Sequence, residues 1–300
     1  MTRPGAGTLP PRAVLVQRKT ELTELLERHG TRGQAEFFLR SRGRQLAEVQ
    51  ARHELVAGAI TTALAAVPAS WRRASVERAE LARFVFEPGD IIVAVGQDGL
   101  VANVAKYLDG QPVIGINPEP GRNPGVLVRH QPSAAAGLLA AAGARCAELS
   151  MVAADADDGQ RLVALNEVFV GHPGHQIARY ALTPPGGRTE PQASSGVIIG
   201  TGTGATGWCR SAWLERHSQL ALAGPSDRRL TWFVREAWPS PATGTGWTEG
   251  ELSDGQVLSL TVASDQLVMF GDGIEPDGIS LSWGQSVTIG LATQTLRLVT

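Results

Sequence analysis

A chain of 300 residues is long enough for one large domain or two modest ones, each with its own buried core, and two is the expectation. Its 27 basic and 29 acidic residues give a net charge of −2, and no run of Lys or Arg exceeds a pair. That leaves no electrostatic footprint for nucleic acid or an anionic membrane.

Residues 1–11 are Pro- and Gly-rich, and Arg3 and the following Arg12 have no long apolar stretch behind them. They read as a disordered tail rather than a secretory signal or membrane anchor. Residues 13–17 form a short apolar run, and Leu22, Leu25 and Leu26 follow at helical spacing, so a strand and then a helix are expected. Residues 33–66 are rich in Ala, Leu, Glu and Arg without an internal Pro, which predicts one long helix ended by Pro68. Residues 90–95 read as a buried strand, 100–108 as a helix starting straight after Gly99, and 112–116 as a second strand. Strand, glycine turn, helix and strand make the parallel unit of an α/β domain with a doubly wound sheet.

The dense Gly, Pro and Arg content of 121–132 suits a linker or a substrate-facing loop, so a boundary is expected near residue 130. Domain one would be 1–130 with a helical N-terminal extension. Domain two would be 131–300, with its C-terminal end free to return to the first. After an Ala-rich helix at 133–142, strand-like segments follow at 148–153, 167–170, 178–183, 195–200, 230–235, 257–263, 266–270 and 286–291. The second domain is expected to be mostly β, with one helix after Gly204. Cys146 and Cys209 are too few and too far apart for a disulfide framework or a structural zinc site, and a cytoplasmic location is expected.

Three segments carry chemistry. In Val93-Ala94-Val95-Gly96-Gln97-Asp98-Gly99 a strand ends in a glycine turn that delivers one carboxylate to the start of a helix. Glycine lets backbone approach a phosphate, and an Asp there serves as a base toward an attacking hydroxyl, as a holder of the donor's metal, or simply as a helix cap. Asn166 and Glu167 open a strand and can offer an amide and a carboxylate to a ligand such as a ribose, or can sit in an ordinary turn. The segment from Gly200 to Trp208, Gly-Thr-Gly-Thr-Gly-Ala-Thr-Gly-Trp, has no Lys and so fails the Walker pattern. It reads as backbone and hydroxyl donors around a sugar or base, with Trp208 for stacking, or as a surface loop. His172 and His175, in His-Pro-Gly-His, read as a hairpin turn without a third metal ligand.

In order and spacing these segments resemble the signature of the NAD kinase family, over roughly residues 90–290. Gly96 to Gly99 resembles its Gly-Gly-Asp-Gly turn, Asn166-Glu167 its Asn-Glu motif, and Thr201 to Trp208 its Thr- and Gly-rich segment ending in an aromatic residue. Pro-Val-Ile-Gly-Ile-Asn at 112–117 and Gly271-Asp272-Gly273 are similar to further family segments. The resemblance implies an NAD kinase-like fold and transfer of a phosphoryl group from ATP, or a related donor, to the 2′-hydroxyl of the adenosine ribose of NAD. It implies Asp98 as base, Gly96 and Gly99 at the donor phosphates, and Asn166, Glu167, Thr201, Thr203, Gly204 and Trp208 at the acceptor. Magnesium would come with the donor, and identical subunits would assemble. Gln97 replaces a glycine, Leu100 a Thr, and Gly207-Trp208 an Ala-Tyr, so a different acceptor (sugar, nucleoside or lipid) and a silent nucleotide-binding regulator stand as alternatives. A Rossmann dehydrogenase, with Glu119 as its ribose acid, lacks the third glycine it needs.

Overall fold

The computed structural model describes residues 10–174 and 176–300. Most of the expected tail, and His175, lie outside the described residues. Two compact units emerge: residues up to Ala147 together with Arg297–Thr300, and Glu148–Leu296. The division falls after residue 147 rather than near 130. The Ala-rich helix that follows residue 130 buries Leu138, Leu139 and Ala142 against Ile114 and Ile116 of the first unit.

The first unit begins with β1 (Arg12–Gln17), α1 (Glu21–His29), α2 (Arg32–Arg40) and α3 (Leu46–Ala65). Then come β2 (Arg72–Glu77), β3 (Asp90–Val95), α4 (Asp98–Ala105), β4 (Pro112–Ile116) and α5 (Ala135–Ala141). The strands run parallel in the order β2-β1-β3-β4, and Arg297 and Leu298 pair in parallel with Pro112 and Val113. β3 and β4 are apolar almost throughout because helices cover the sheet, as parallel sheets require.

The single helix expected over 33–66 is two helices. Ser41 to Gln45 interrupt it, with Gly43 at φ 69° and the Arg44 amide donating to the Leu39 carbonyl at 3.0 Å. Thr20 and Thr31 cap α1 and α2, accepting from Thr23 and Gln34 amides, and Gly30 ends α1 at φ 74°. The break lets Leu46 and Val49 of α3 pack with Leu22, Leu25, Ala35 and Leu39. Each fully buried Leu there contributes about 1.5–3 kcal/mol.

The second unit is nearly all β. It runs β5 (Cys146–Ala156), β6 (Arg161–Ala164), β7 (Glu167–Gly171), β8 (Ala178–Thr183), β9 (Glu190–Ser194) and β10 (Gly196–Gly200). After α6 (Trp208–Arg216) come β11 (Arg229–Arg235), β12 (Glu249–Ser253), β13 (Val257–Val262), β14 (Gln266–Gly271), β15 (Ile279–Ser282) and β16 (Ser286–Val299). An antiparallel sheet of six strands has the order β12-β11-β10-β7-β14-β15. A second set pairs β9-β8-β13-β16, with β5 and β6 beside it. Alternation sorts the six-stranded sheet into two faces. Val168, Val170, Val197, Ile199 and Trp232 face the main core with Tyr180, Leu258 and Ile289, while Phe169, Ile198, Phe233 and Phe270 face Cys209 of α6.

Candidate functional site

Two clusters take up the residues singled out in the sequence, one in each unit.

In the first unit, β3 stops at Val95 and α4 begins at Asp98, and the Gly96 amide donates to the Ile116 carbonyl at 3.0 Å. Asp98 does not occupy the N-cap of α4; that position is Gln97, which makes no side-chain capping bond. The Asp98 carboxylate reaches across instead to the loop after β4. Its Oδ2 accepts from the Val126 amide at 2.8 Å, and its Oδ1 from Leu127 and Val128 at 2.7 and 2.9 Å. A carboxylate has about four acceptor positions, so roughly one remains, on Oδ2. The loop lies hard against β4, since a Cβ on Gly115 would stand 2.2 Å from the Leu127 carbonyl oxygen. Gly125 turns it at φ 68°.

Gly99 is exposed, with open space where a Cβ would be. Gly96 is overlaid by the buried Leu100, whose Cδ2 lies 3.1 Å from that point. Of the two glycines expected at phosphates, Gly99 alone offers an unobstructed backbone. Glu119 forms a two-pronged ion pair with Arg52 of α3, at 3.0 and 3.3 Å, so the acid a dehydrogenase would need is already taken.

In the second unit the Thr- and Gly-rich segment folds over the start of β7. The Thr201 amide donates to the Asn166 carbonyl at 2.9 Å, and its hydroxyl donates to the Leu165 carbonyl at 2.6 Å while accepting from the Thr203 amide at 3.1 Å. The glycines are there for closeness. A Cβ on Gly204 would lie 2.2 Å from the Asn166 carbonyl oxygen, one on Gly200 2.2 Å from Cys209 Sγ, and one on Gly202 1.9 Å from the Gly224 carbonyl oxygen. Asp272, at φ 54°, accepts from the Leu165 and Asn166 amides at 3.0 and 2.6 Å, and its own amide donates to the Glu167 carbonyl.

This backbone clamp leaves polar side chains over. The Thr203 hydroxyl is buried with no hydrogen-bond partner, and the same clamp carries the largely buried Glu167 carboxyl and the half-buried Asn166 side chain. Burial, and then the nearby Asp272 charge, push the Glu167 carboxyl up to about 7. Burial and Glu167 likewise raise the Cys209 thiol, which favours its neutral form. Buried polar groups normally find partners, so the Thr203 hydroxyl marks a place where a ligand's polar group would complete the bonding.

Trp208 is stacked within the protein. Phe169 lies at 5.3 Å and 22° to it, and the Arg235 guanidinium is 5.3 Å from its ring centroid. Beside it is a groove of about 620 Å³ lined by Trp208, Ser211, Glu215, Arg216, Arg235 and Glu236. The charges of Arg235 and Glu236 thus border this groove. His172 turns its Nδ1 to accept from the Gly174 amide at 2.9 Å, as in a tight turn. Among the described residues no three His, Cys, Asp or Glu side chains stand together as a metal site. Sequence reasoning missed the amides of 126–128 as partners of Asp98 and missed Arg52. Their only signal was the Gly- and Pro-rich character of the loop.

No protein-family model matches the sequence, and no curated protein matches it. Among solved structures, an NAD kinase from Archaeoglobus fulgidus in complex with ATP matches over 96% of this chain and 93% of its own, with a TM-score of 0.58 and 17% identity. The chain has an NAD kinase-like fold. That likeness runs through both units, including α1 to α3, which the motif resemblance did not reach. No helix among the described residues is long and apolar enough to cross a membrane.

Proposed function

We propose that this protein is an NAD kinase-like phosphotransferase, moving the terminal phosphoryl group of ATP, or a related donor, to the 2′-hydroxyl of the adenosine ribose of NAD. The observation that carries the reading is the buried, partnerless Thr203 hydroxyl on the clamp that also carries the desolvated Glu167 carboxyl, in a fold like that of an NAD kinase in complex with ATP. Such groups suit a ligand that carries hydroxyls, and of the residues assigned to the acceptor Trp208 alone also lines the groove of about 620 Å³.

In this reading the acceptor hydroxyl donates its hydrogen to the remaining acceptor position on Asp98 Oδ2. As its oxygen bonds to the donor's terminal phosphorus, the bridging P–O bond breaks, the nucleoside diphosphate leaves, and Asp98 receives the proton. Three amides hold the carboxylate still, so its contribution is orientation as much as proton removal. Gly99 and the first turn of α4 supply backbone N–H groups to the donor phosphates. Among the described residues no three His, Cys, Asp or Glu side chains stand together, and magnesium would come with the donor nucleotide and neutralise its phosphate charge. By the family resemblance Asn166, Glu167, Thr201, Thr203, Gly204 and Trp208 would contact the acceptor.

A second reading, a nucleotide-binding regulator without transfer, is favoured by Leu100 lying over Gly96. The test is purified protein with magnesium, ATP and NAD, read as NADP formation, with polyphosphate and a panel of sugars, nucleosides and lipids alongside. NADP formation is expected. Transfer only to another acceptor changes the substrate, and nucleotide binding without any transfer overturns the reading in favour of the regulator.

A further inference from the structure

One side chain of α3 reaches the loop that ends on Asp98. Arg52 projects from α3, and its Nε and Nη2 donate to the two carboxylate oxygens of Glu119 at 3.0 and 3.3 Å. Glu119 is the more buried partner, with 9% of its side chain exposed against 34% for Arg52. It opens the loop that ends on Asp98. Its amide donates to Asn117 Oδ1 at 2.9 Å, and its carbonyl accepts from the Arg122 and Asn123 amides, both at 3.0 Å. Asn117 Nδ2 closes the turn on the Asn123 carbonyl at 2.6 Å. Three residues later come the three amides that grip the Asp98 carboxylate.

The ion pair belongs to a wider charge network. Glu21 of α1 is paired with Arg44 and lies 3.9 Å from Arg52. The Arg44 hydrogen bond first, then the charges of Arg44, Arg52 and Arg122, hold the Glu21 carboxyl below its ordinary range. Arg44 ties helices to one another, whereas Arg52 alone among these cations is hydrogen-bonded to a side chain of the loop.

We propose that Arg52 is a positioning residue for Asp98, acting as a strut from α3 through Glu119 to the amides of 126–128. The inference rests on the phosphotransferase reading for its catalytic consequence, but its structural half stands by itself. Removing the guanidinium releases the Glu119 end of the loop, the amides open more often, and Asp98 loses the orientation that meets the acceptor hydroxyl. Both substrates should still bind, because Arg52 is not among the residues assigned to either of them in the phosphotransferase reading.

Two readouts on the full-length protein test it. Hydrogen exchange followed by mass spectrometry over 125–128 should quicken about tenfold in Arg52→Gln, the size expected for losing a charge-assisted hydrogen-bonded pair. Glu119→Gln should match it, the double variant should be no faster than either single one, and Arg52→Lys should recover part of the protection. Arg44→Gln, which loosens the helices without touching the loop, should leave this segment unchanged. In the transfer assay Arg52→Gln should lower kcat with KM for both substrates nearly constant. Unchanged exchange in Arg52→Gln, or equally fast exchange in Arg44→Gln, overturns the strut. If the parent protein transfers phosphoryl to nothing, the phosphotransferase reading falls, and the exchange comparison still decides whether Arg52 fixes the Asp98 loop.

Discussion

Asp98→Asn changes one atom and should do two things. The side chain keeps its shape, but one oxygen becomes an NH2 group with no lone pair. If that group faces Val126, one loop amide is orphaned; if it faces Leu127 and Val128, two are. A buried donor left without a partner costs about 1–3 kcal/mol, and the surviving bonds lose the strengthening of a charged acceptor. The sum is about 3 kcal/mol. For a unit of this size each kcal/mol lowers the melting midpoint by about 2–4 °C, so the first unit should melt about 6–12 °C lower. Calorimetry on parent and variant at pH 7 measures this, and amide exchange at 126–128 locates it. In the transfer assay turnover should vanish while nucleotide still binds. A variant melting within about 2 °C of its parent, with these amides equally protected, would refute the carboxylate–amide clamp. A variant with parental turnover would remove Asp98 from the chemistry.

Glu167→Gln should flatten a pH dependence. Glu167 is raised to about 7 from an ordinary 4.5, so the folded protein keeps this proton in a range where the unfolded chain has released it. The carboxyl therefore costs nothing below pH 4.5; stability falls as pH rises through the window from 4.5 to about 7, and the deficit is constant above it. The deficit is about 3 kcal/mol at about 1.4 kcal/mol per unit, so the Gln variant should be more stable than the parent by that amount at pH 8 and equal to it at pH 4. Urea unfolding at both pH values reads the difference, and equal stability at pH 8 would show that the carboxyl is solvated. Gly202→Ala places a methyl 1.9 Å from a backbone carbonyl oxygen that cannot swing aside. It should destabilise the second unit by about 3 kcal/mol and weaken NAD binding, and a parental melting curve would contradict the close approach.

Much of the architecture is legible because it is written locally. The apolar runs that became β3, β4 and β10 need no partner to be seen, and a glycine turn between a strand and a helix marks where α4 begins. β2 is not legible, since Arg72, Arg73, Ser75 and Glu77 give it no apolar run and its pairing with β1 makes it a strand. β9 carries Pro191, which a strand tolerates at a sheet edge, where β9 lies. β16 runs to Val299, well past the expected end at residue 291, because it pairs with different neighbours along its length. At the site, residue types were legible and their engagements were not. Asp98 binds amides 28 to 30 positions away, and Trp208 is stacked on Phe169. Such contacts are made by topology, which no local window contains.

The pairing of Arg297 and Leu298 with Pro112 and Val113 sets an order of events for the folding chain. The parallel sheet of the first unit waits for a segment that the whole second unit precedes, so its last strand is added only after a very long loop has closed. Until then β4, a strand of purely apolar and glycine character, lacks its partner at Pro112 and Val113 on the side away from β3. An exposed edge of that kind is a template for a strand from another molecule. Refolding yield should therefore depend steeply on protein concentration, and a chain cut after Ala147 should associate through β4 even where its own helices have formed.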